Sequence, residues 1–384
     1  MRRIKKKIIR RGSVLIVVLF IVMAITILSL GFLTKSNVEL ACGENMIIKA
    51  EMDYLAESGL EHAKGLILNP QDFSTGYWTG AASQQMSAGS DCYYDVNVVK
   101  TGEYNYQVDC LAYKQKAGER IARSSLQAEL RLNPCIAYYQ QNKKEIWSQI
   151  TINGDAYFCD DVTIYGKIKG DVYSAKSVYV SWPGSIDGQR YSLYSGSAIS
   201  VPPISYSNFS SSYYIGSTSY SVQQIVPGEY VGLQLGPSSS NPAGVYYCDG
   251  NIDLRGTVQI NGMLVVKDDM KIRDGAVVTI NSVRNFPALL VGYDLSFEED
   301  NGRLDVTGFT KIENHIDMKN KLGCVLNIWG SLYIMGDGII NTANTLITIT
   351  AKQEQGAIEF WPAAGTAIRW SPAAGAFYKS IKRQ

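Results

Sequence analysis

The feature that most constrains this chain is an uncharged apolar stretch near its N-terminus. Residues 13–33 contain no charged side chain, and they follow a basic cluster that ends at Gly12. At 1.5 Å per residue the stretch forms about 30 Å of helix, which matches the hydrocarbon core of a bilayer. We therefore predict a single-pass helix in the cytoplasmic (inner) membrane, with its N-terminus inside and the bulk of the chain outside the cytoplasm. The apolar residues that open this helix are Val14, Leu15, Ile16, Val17, Leu19 and Phe20.

Two other interpretations of an N-terminal apolar stretch fit poorly. A secretory signal has a shorter apolar core followed by a small-x-small cleavage site, whereas residues 34–37 read Thr-Lys-Ser-Asn. A lipoprotein site at Cys42 is disfavoured because Glu39 occupies a position that needs an apolar residue. A plain membrane anchor stays open as an alternative, since hydropathy alone does not exclude it.

Helical periodicity continues beyond the membrane stretch as far as Pro70, which ends the helix. The whole helix would be on the order of 80 Å long. Its outer half carries one apolar stripe at steps of three and four residues, which predicts packing on a domain. The stripe consists of Ile48, Met52, Leu55, Ala56, Gly59, Ala63, Leu66 and Ile67.

The basic leader, Gly12, the apolar helix and the segment at 56–63 (Ala-Glu-Ser-Gly-Leu-Glu-His-Ala) together resemble one family. They look like the N-terminus of minor type IV pilins of the PilX type and of the related GspK pseudopilins. The resemblance covers roughly residues 1–70, with weaker support to residue 132, and its helix motif falls on Ala56, Glu57, Gly59 and Leu60. It implies that a prepilin peptidase cuts between Gly12 and Ser13 and methylates the new N-terminus.

One position departs from the family pattern. Major pilins carry a glutamate at the fifth mature position, which pairs with the terminal amine of a neighbouring subunit, whereas Val17 stands there in this chain. A carboxylate in lipid is costly without such a partner. The departure resembles the pseudopilins that lie at a filament tip.

Composition favours a β-rich extracytoplasmic protein and excludes a basic nucleic-acid-binding surface. Charged residues are 18% of the chain, and Tyr (25) and Gly (35) are abundant. Without the seven basic residues of the leader, the net charge of +1 becomes −6. No nucleic acid is therefore expected as a partner.

Residues 91–99 and 104–113 predict an antiparallel hairpin around a turn at Lys100-Thr101-Gly102. This register places Cys92 opposite Cys110 on an apolar face, within reach of a disulfide. Two free buried thiols are the alternative. A third strand follows, because apolar and polar residues alternate from Ala122 to Leu132. The apolar face of a three-stranded sheet must be buried against another element, and the apolar stripe of the preceding helix can bury it.

The chain changes character after residue 134. An Ile-x-Gly motif recurs around Gly154, Gly170, Gly262 and Gly330, with alternating apolar residues nearby. Short strands that repeat without helices predict a β-solenoid, and a β-sandwich is the competing fold. We expect residues 181–244, rich in Ser, Tyr, Gly and Pro, to be a long solvated insertion. Residues 372–384 look like a frayed tail.

No catalytic, metal or cofactor site is predicted. None of the seven cysteines forms a C-x-x-C pair, and His62 and His315 read as a helix position and a loop position. A polysaccharide-cleaving solenoid would need clustered carboxylates. The candidate carboxylates lack metal-ligand spacing, and the group at 298–300 is predicted to be a hairpin tip. The candidates are Asp160, Asp161, Asp268, Asp269, Glu298, Glu299 and Asp300.

The sequence therefore predicts an α+β chain. It comprises a leader (1–12), a transmembrane and amphipathic helix (13–69), a small antiparallel sheet (70–134) and an all-β, solenoid-like domain (135–384). Its predicted function is that of a non-enzymatic minor pilin or pseudopilin in a type IV pilus or type II secretion pseudopilus. Its expected partners are the inner membrane, the prepilin peptidase and other pilins, with a surface glycan or another cell as a further contact of the β domain. The alternatives are an anchored carbohydrate- or cell-binding protein and, less favoured, a carbohydrate-active enzyme.

Overall fold

The computed structural model describes residues 11–69, 77–102, 104–142, 144–196, 199–340, 344–373 and 375–383. Most of the predicted leader, residues 1–10, lies outside the described residues, as do residues 70–76 at the start of the predicted sheet region (70–134).

The chain begins with one long helix, α1 (Arg11–Leu68). Its 58 residues correspond to a length of about 87 Å. The N-terminal half contacts nothing in the described structure, whereas the C-terminal half packs on a sheet through the predicted stripe. Among the stripe residues, Ile48 and Leu66 are half-buried and the others are buried.

An antiparallel sheet follows, made of β1 (Gly80–Gln84), β2 (Cys92–Gly102), β3 (Asn105–Lys116) and β4 (Glu119–Leu132). One face of the sheet alternates buried residues with exposed ones and lies against α1. This arrangement confirms the predicted fold of a helix on an antiparallel sheet. The shared core includes Met52, Leu60, Ile67, Tyr94, Val98, Tyr106, Val108, Leu126 and Leu130.

The chain then enters the solenoid and makes three coils and the start of a fourth. Their strands are β5 (Ile136–Gln140), β6 (Lys144–Ile146), β7 (Ile150–Asn153), β8 (Asp155–Phe158), β9 (Val162–Ile164), β10 (Lys167–Ile168), β11 (Val172–Ser174), β12 (Val178–Val180), β13 (Ser185–Ile186) and β14 (Arg190–Tyr191).

A connecting segment then runs along the outside of the solenoid. It contains a 3₁₀ helix (Tyr206–Phe209) and a hairpin of β15 (Ser212–Ile215) and β16 (Thr218–Ser221). The expectation that residues 181–244 form a solvated insertion is wrong, because their beginning and end form solenoid strands. The middle of the segment buries Ile204, Phe209, Tyr213 and Val222 against the solenoid. The segment has few aliphatic residues, and its large aromatic side chains supply the buried apolar area instead.

The remaining coils follow. Their strands are β17 (Gln223–Ile225), β18 (Gly228–Val231), β19 (Gln234–Leu235), β20 (Val245–Cys248), β21 (Ile252–Arg255), β22 (Thr257–Asn261), β23 (Met263–Val266), β24 (Met270–Ile272), β25 (Val277–Asn281), β26 (Leu289–Val291), β27 (Leu295–Phe297), β28 (Arg303–Ile312), β29 (His315–Asp317), β30 (Val325–Ile334), β31 (Gly338–Ile340) and β32 (Leu346–Ala351).

The solenoid has three parallel faces and about ten turns in the described part of the chain. The first face runs β17-β20-β23-β26-β28-β30-β5-β8-β11-β14, and the third runs β19-β22-β25-β28-β30-β32-β7-β10-β13. The second face consists of β18-β21-β24-β27-β29-β31 and of β6-β9-β12. The predicted β-solenoid is therefore confirmed, and the β-sandwich alternative is wrong.

The coils do not stack in sequence order. The last coil of the second run pairs in parallel with the first coil of the first run, with Leu332 opposite Tyr138 and Ile347 opposite Ile150. The chain thus enters the stack in the middle, runs to one end, crosses outside to the other end and returns to the middle. Sequence periodicity does not specify this order, since every coil presents a similar edge.

The recurring Ile-x-Gly motif marks one internal ladder and the corner beside it. The isoleucines stand in register, and three of the four following glycines adopt positive φ, namely Gly154 (153°), Gly262 (143°) and Gly330 (144°). A Cβ added at Gly330 would overlap the carbonyl oxygen of Gly308 in the adjacent coil, so only glycine fits. The ladder comprises Ile260, Ile280, Val306, Ile328, Ile349, Ile152, Ile168 and Ile186.

Tyrosines form part of a second layer outside the first face. The ring centroids of Tyr139 and Tyr333 lie 4.9 Å apart and those of Tyr173 and Tyr191 4.8 Å apart, both pairs stacked. Trp370 packs edge-on against Tyr333. The abundance of tyrosine thus has a structural use, because the outer side of this face is covered as well as its inner side.

The C-terminal segment covers this face and then returns to the first sheet. It consists of α2 (Gln353–Gly356), the hairpin strands β33 (Ile358–Ala363) and β34 (Thr366–Trp370), and β35 (Ala376–Arg383). β35 pairs antiparallel with β4, with Ala376 opposite Leu132. The expectation of a frayed tail is therefore wrong, because the open edge of β4 orders this strand. The solenoid is an insertion between two paired strands of the first sheet, and the predicted domain 135–384 loses its last strand to that sheet.

A buried carboxylate joins the first coils. Asp155, fully buried, accepts hydrogen bonds from the backbone N–H groups of Cys135 (2.9 Å) and Asp171 (2.8 Å). Burial raises the pKa of Asp155 to about 6, although these two donors act in the opposite direction. Because the folded pKa exceeds the ordinary value, protonation of Asp155 favours the folded state.

We expect the stability contributed by Asp155 to be fully present below about pH 4 and to be lost as the pH rises through about 6, a change of about 3 kcal/mol. Denaturant unfolding followed by circular dichroism, at pH 4.5 and pH 7.5, measures it. Asp155→Asn should lose this part of the pH dependence. Asp161→Asn, which alters a carboxylate that accepts the Ser177 N–H (3.0 Å), should keep it. Equal pH dependence in all three proteins would contradict the assignment.

Candidate functional site

The first half of α1 is an apolar cylinder without a partner in the described structure. The predicted membrane residues Val14, Leu15, Ile16, Val17, Leu19 and Phe20 are all more than half exposed. By length and composition this helix could span a membrane, consistent with single-pass anchoring. Gly12 and Ser13 lie in its first turn, where the structure describes the backbone alone.

The second half of α1 places the predicted pilin motif at the contact with the sheet. Ala56, Gly59 and Leu60 are buried there, whereas Glu57 is exposed and pairs with Arg383 (3.3 Å). Because these residues recur at steps of three and four, they share one face of the helix. The structure therefore brings the apolar motif residues together and leaves Glu57 beside them at the edge of the interface.

Gly59 sets how closely the helix approaches the sheet. A Cβ at this position would overlap Cys110 Sγ and lie 3.0 Å from the Tyr94 ring. Burial, with a smaller contribution from the charge of Asp95, raises the pKa of the Cys110 thiol to about 12. Cys110 therefore acts as a small buried apolar side chain beneath the helix.

The predicted disulfide between Cys92 and Cys110 is wrong. Cys110 lies opposite Val96 and Cys92 opposite Lys114, so the two cysteines are offset by four residues, or about 13 Å along the strands. That separation exceeds the reach of a disulfide, and both cysteines are free thiols. The hairpin turns between Gly102 and Asn105 rather than at residues 100–102. The displaced turn shifts the pairing by an even number of residues, which keeps each side chain on its predicted face.

The C-terminal strand is attached to the helix by charged contacts. Asp53 accepts a hydrogen bond from Ser124 Oγ (2.6 Å) on β4 and pairs with Arg383 (3.0 Å) on β35. Lys64 Nζ lies 5.2 Å from the centre of the Tyr378 ring. The last described residue thus contacts the outer half of α1, although these residues are more than 300 positions apart in sequence. No local pattern predicts such a contact.

A partly buried ion pair joins the sheet to the solenoid. Lys100 Nζ lies 3.0 Å from a carboxylate oxygen of Glu354 in α2, and the Tyr106 hydroxyl donates to the same carboxylate (3.5 Å). Nearby, the Tyr104 hydroxyl donates to the carbonyl of Asn153 (3.2 Å). A partly buried charge that loses its partner is left uncompensated, so separating the solenoid from the sheet at this point is costly. These contacts therefore hold the solenoid in its position on the sheet.

The carboxylate groups considered for catalysis have structural roles at the corners of coils. Asp160 pairs with Lys176 (2.7 Å), Asp269 accepts the N–H of Asp294 (3.3 Å), and Asp300 accepts the N–H of Leu322 (2.8 Å). The predicted hairpin tip at 298–300 is wrong, because this turn joins two strands of a parallel coil. No group of three metal-ligating side chains occurs among the described residues.

The two histidines also have structural neighbours. His62 Nδ1 lies 3.0 Å from the Tyr94 hydroxyl, at the helix–sheet contact. His315 lies in β29 rather than in a loop, and its Nδ1 is 3.1 Å from Asp294.

We expect Gly59→Ala to weaken the helix–sheet contact by about 1–3 kcal/mol, because the added methyl group overlaps Cys110. Hydrogen exchange of the amides in residues 48–68, measured on the full chain in detergent, reports this loss. Gly65→Ala is the matched control, since Gly65 is helical and a Cβ there meets nothing within 4 Å. The control should be neutral or stabilising by up to about 1 kcal/mol. Similar exchange in the two variants would refute a close approach at Gly59.

No family model and no curated protein matches this chain. Among solved structures, an ice-binding protein from the Antarctic ascomycete Antarctomyces psychrotrophicus is similar to 57% of this chain over 95% of its own length, at 13% identity and a TM-score of 0.29. The competence-associated pilin ComZ from Thermus thermophilus is similar to 88% of this chain over 97% of its own length, at 10% identity and a TM-score of 0.23. At these scores neither likeness carries a functional argument.

Proposed function

We propose that this chain is a non-enzymatic minor pilin or pseudopilin, a subunit that helps to assemble or caps a type IV pilus or a type II secretion pseudopilus. The observation that carries the proposal is the division of α1 into two halves. One half is an exposed apolar rod, and the other is packed through Gly59 on an antiparallel sheet. A plain anchor needs a membrane helix, but it does not need that helix to continue as the core of a domain.

The exposed rod suits a place among the helices of other subunits. Its surface offers apolar side chains on all sides, so lipid or neighbouring apolar helices satisfy it equally well. Val17, at the fifth position after the proposed cleavage site, is 57% exposed and offers no carboxylate to a neighbouring amine. This supports a place at a filament end, where the usual pairing between stacked subunits is not required.

The bulk of the solenoid supports the same place. A filament shaft repeats identical subunits side by side, and an inserted domain of about ten turns on one subunit needs room that a tip provides. Nothing in the described residues suggests a catalytic centre. We propose that prepilin peptidase, other pilins and a separate motor supply the processing and the energy of assembly.

We expect the mature protein to begin at a methylated Ser13 when the chain is produced in a cell that contains a prepilin peptidase. Mass spectrometry of the N-terminus measures this. Gly12→Val should retain residues 1–12, because a branched side chain replaces the glycine at the cleavage site. Gly31→Val, the same change farther along the helix with open space around it, should be processed normally. An intact N-terminus in the unsubstituted protein would reject the pilin proposal and favour a membrane-anchored surface protein.

A further inference from the structure

The end of α1 meets the solenoid at one buried side chain, that of Gln353. This residue is the first of α2 and is 1% exposed. Its amide contacts three segments that are distant in sequence, namely the end of α1, the segment that enters the solenoid and the segment that leaves it. Gln353 therefore lies where the helix and both connections of the solenoid converge.

The contact with α1 is made at the C-terminus of that helix. The last four carbonyl groups of a helix have no partner within it, and the last turn of α1 contains no basic side chain. Gln353 Nε2 donates to the carbonyl of Leu68, the final residue of α1, over 3.4 Å. A donor that comes 285 residues later in the chain thus satisfies this helix end.

The other two contacts join the same amide to the entry and the exit of the solenoid. Gln353 Nε2 also donates to Ser371 Oγ (2.6 Å), just after β34, and the thiol of Cys135, just before β5, donates to Gln353 Oε1 (3.5 Å). A side-chain amide offers N–H donors and a carbonyl acceptor in one group. Neither a carboxylate, which only accepts, nor an ammonium, which only donates, could make this set of bonds.

The connecting segments by themselves form a narrow ribbon. The N–H of Asn133 donates to the carbonyl of Gly375, and the N–H of Ile136 donates to the carbonyl of Pro372, both over 3.0 Å. Because twist is larger in a two-stranded ribbon than in a wide sheet, this connection alone determines the direction of the solenoid less strictly than a contact to its side does.

The remainder of α2 is fixed to both bodies. Glu354 pairs with Lys100 of the first sheet (3.0 Å), and Gly356 lies against the solenoid, where an added Cβ would overlap Ser331 Oγ. The ion pair of Lys100 joins the solenoid to the sheet, whereas Gln353 reaches α1 itself. Displacing either body would therefore break the contacts of Gln353.

We propose that Gln353 is a positioning residue that fixes the direction of the solenoid relative to the axis of α1. With the amide in place, a tilt of α1 carries the solenoid with it. Without the amide, the connecting segments still attach the solenoid, but the carbonyl of Leu68 loses its donor and other orientations compete. This inference rests on contacts within the folded chain, so it is independent of the processing and assembly of α1.

Double electron–electron resonance on the full-length protein in detergent tests the proposal. One spin label is attached to Cys42, which is exposed on α1, and the other to Gln259→Cys at an exposed position of β22. Cys159, which is half-buried, is replaced by Ser in every sample. Gln353→Met keeps the length of the side chain and removes its hydrogen bonds. We expect a broader distance distribution, with the population of displaced orientations raised on the order of tenfold.

Gln355→Met is the matched control. Gln355 lies in the same helical turn, and its Oε1 has no hydrogen-bond partner among the described residues, so this variant should give the distribution of the unsubstituted protein. Ser371→Ala removes one of the three bonds and should broaden the distribution less than Gln353→Met does. Circular dichroism checks that each variant folds.

Two results would overturn the proposal. The first is an unchanged distribution in folded Gln353→Met, or in Ser371→Ala if Gln353→Met does not fold. The second is equal broadening in Gln355→Met, which would assign the effect to α2 in general. Neither result bears on the N-terminus of the mature protein, so failure here is distinguishable from failure of the pilin proposal.

Discussion

The architecture depends on one set of parallel strand pairs, those that join the two runs of coils. β30 pairs with β5 and β32 with β7, so the strand that enters the solenoid lies beside the strands that complete it. The internal ladder passes through this junction without interruption, from Ile349 to Ile152. Entry and exit are thereby brought together, and β4 and β35 can leave and rejoin the first sheet as neighbours. The attachment of the solenoid to the helix–sheet unit follows from this junction.

Much of the architecture could be predicted because local periodicity in the sequence determines it. The apolar stripe of α1, the alternation along β4 and the Ile-x-Gly motif each specify which side of an element is buried. The hairpin of β2 and β3 shows the limit of this information. Alternation of apolar and polar residues along a strand shows which face of the sheet each side chain occupies. An even shift of register leaves every side chain on the same face, so the alternation does not determine which residues pair. The faces of Cys92 and Cys110 were therefore predicted correctly, while their pairing was wrong.

What could not be predicted depends on contacts between distant residues. The order of the coils depends on which coil edges pair, and these edges are similar to one another. The strand β35 is ordered by pairing with the open edge of β4, about 250 residues earlier in the chain. The connecting segment was expected to be solvated because it lacks aliphatic residues, yet Phe209 and Tyr213 bury enough aromatic surface to pack it. At the candidate site, the stripe indicated Gly59, but neither Lys100–Glu354 nor Gln353 has a local signal that distinguishes it from ordinary surface.

The position of the solenoid between β4 and β35 has a mechanical consequence. Two polypeptide segments, through Asn133 and Gly375, connect it to the sheet, and the N–H of Asn133 donates to the carbonyl of Gly375 (3.0 Å). A load applied to the solenoid is thus shared by two parallel tethers that enter adjacent strands, rather than borne by one flexible linker. A single proteolytic nick within the solenoid would leave one fragment covalently joined to α1 and the other held by strand pairing along the coils and along β35. The solenoid would stay in place after a cut that would release a domain carried on one tether.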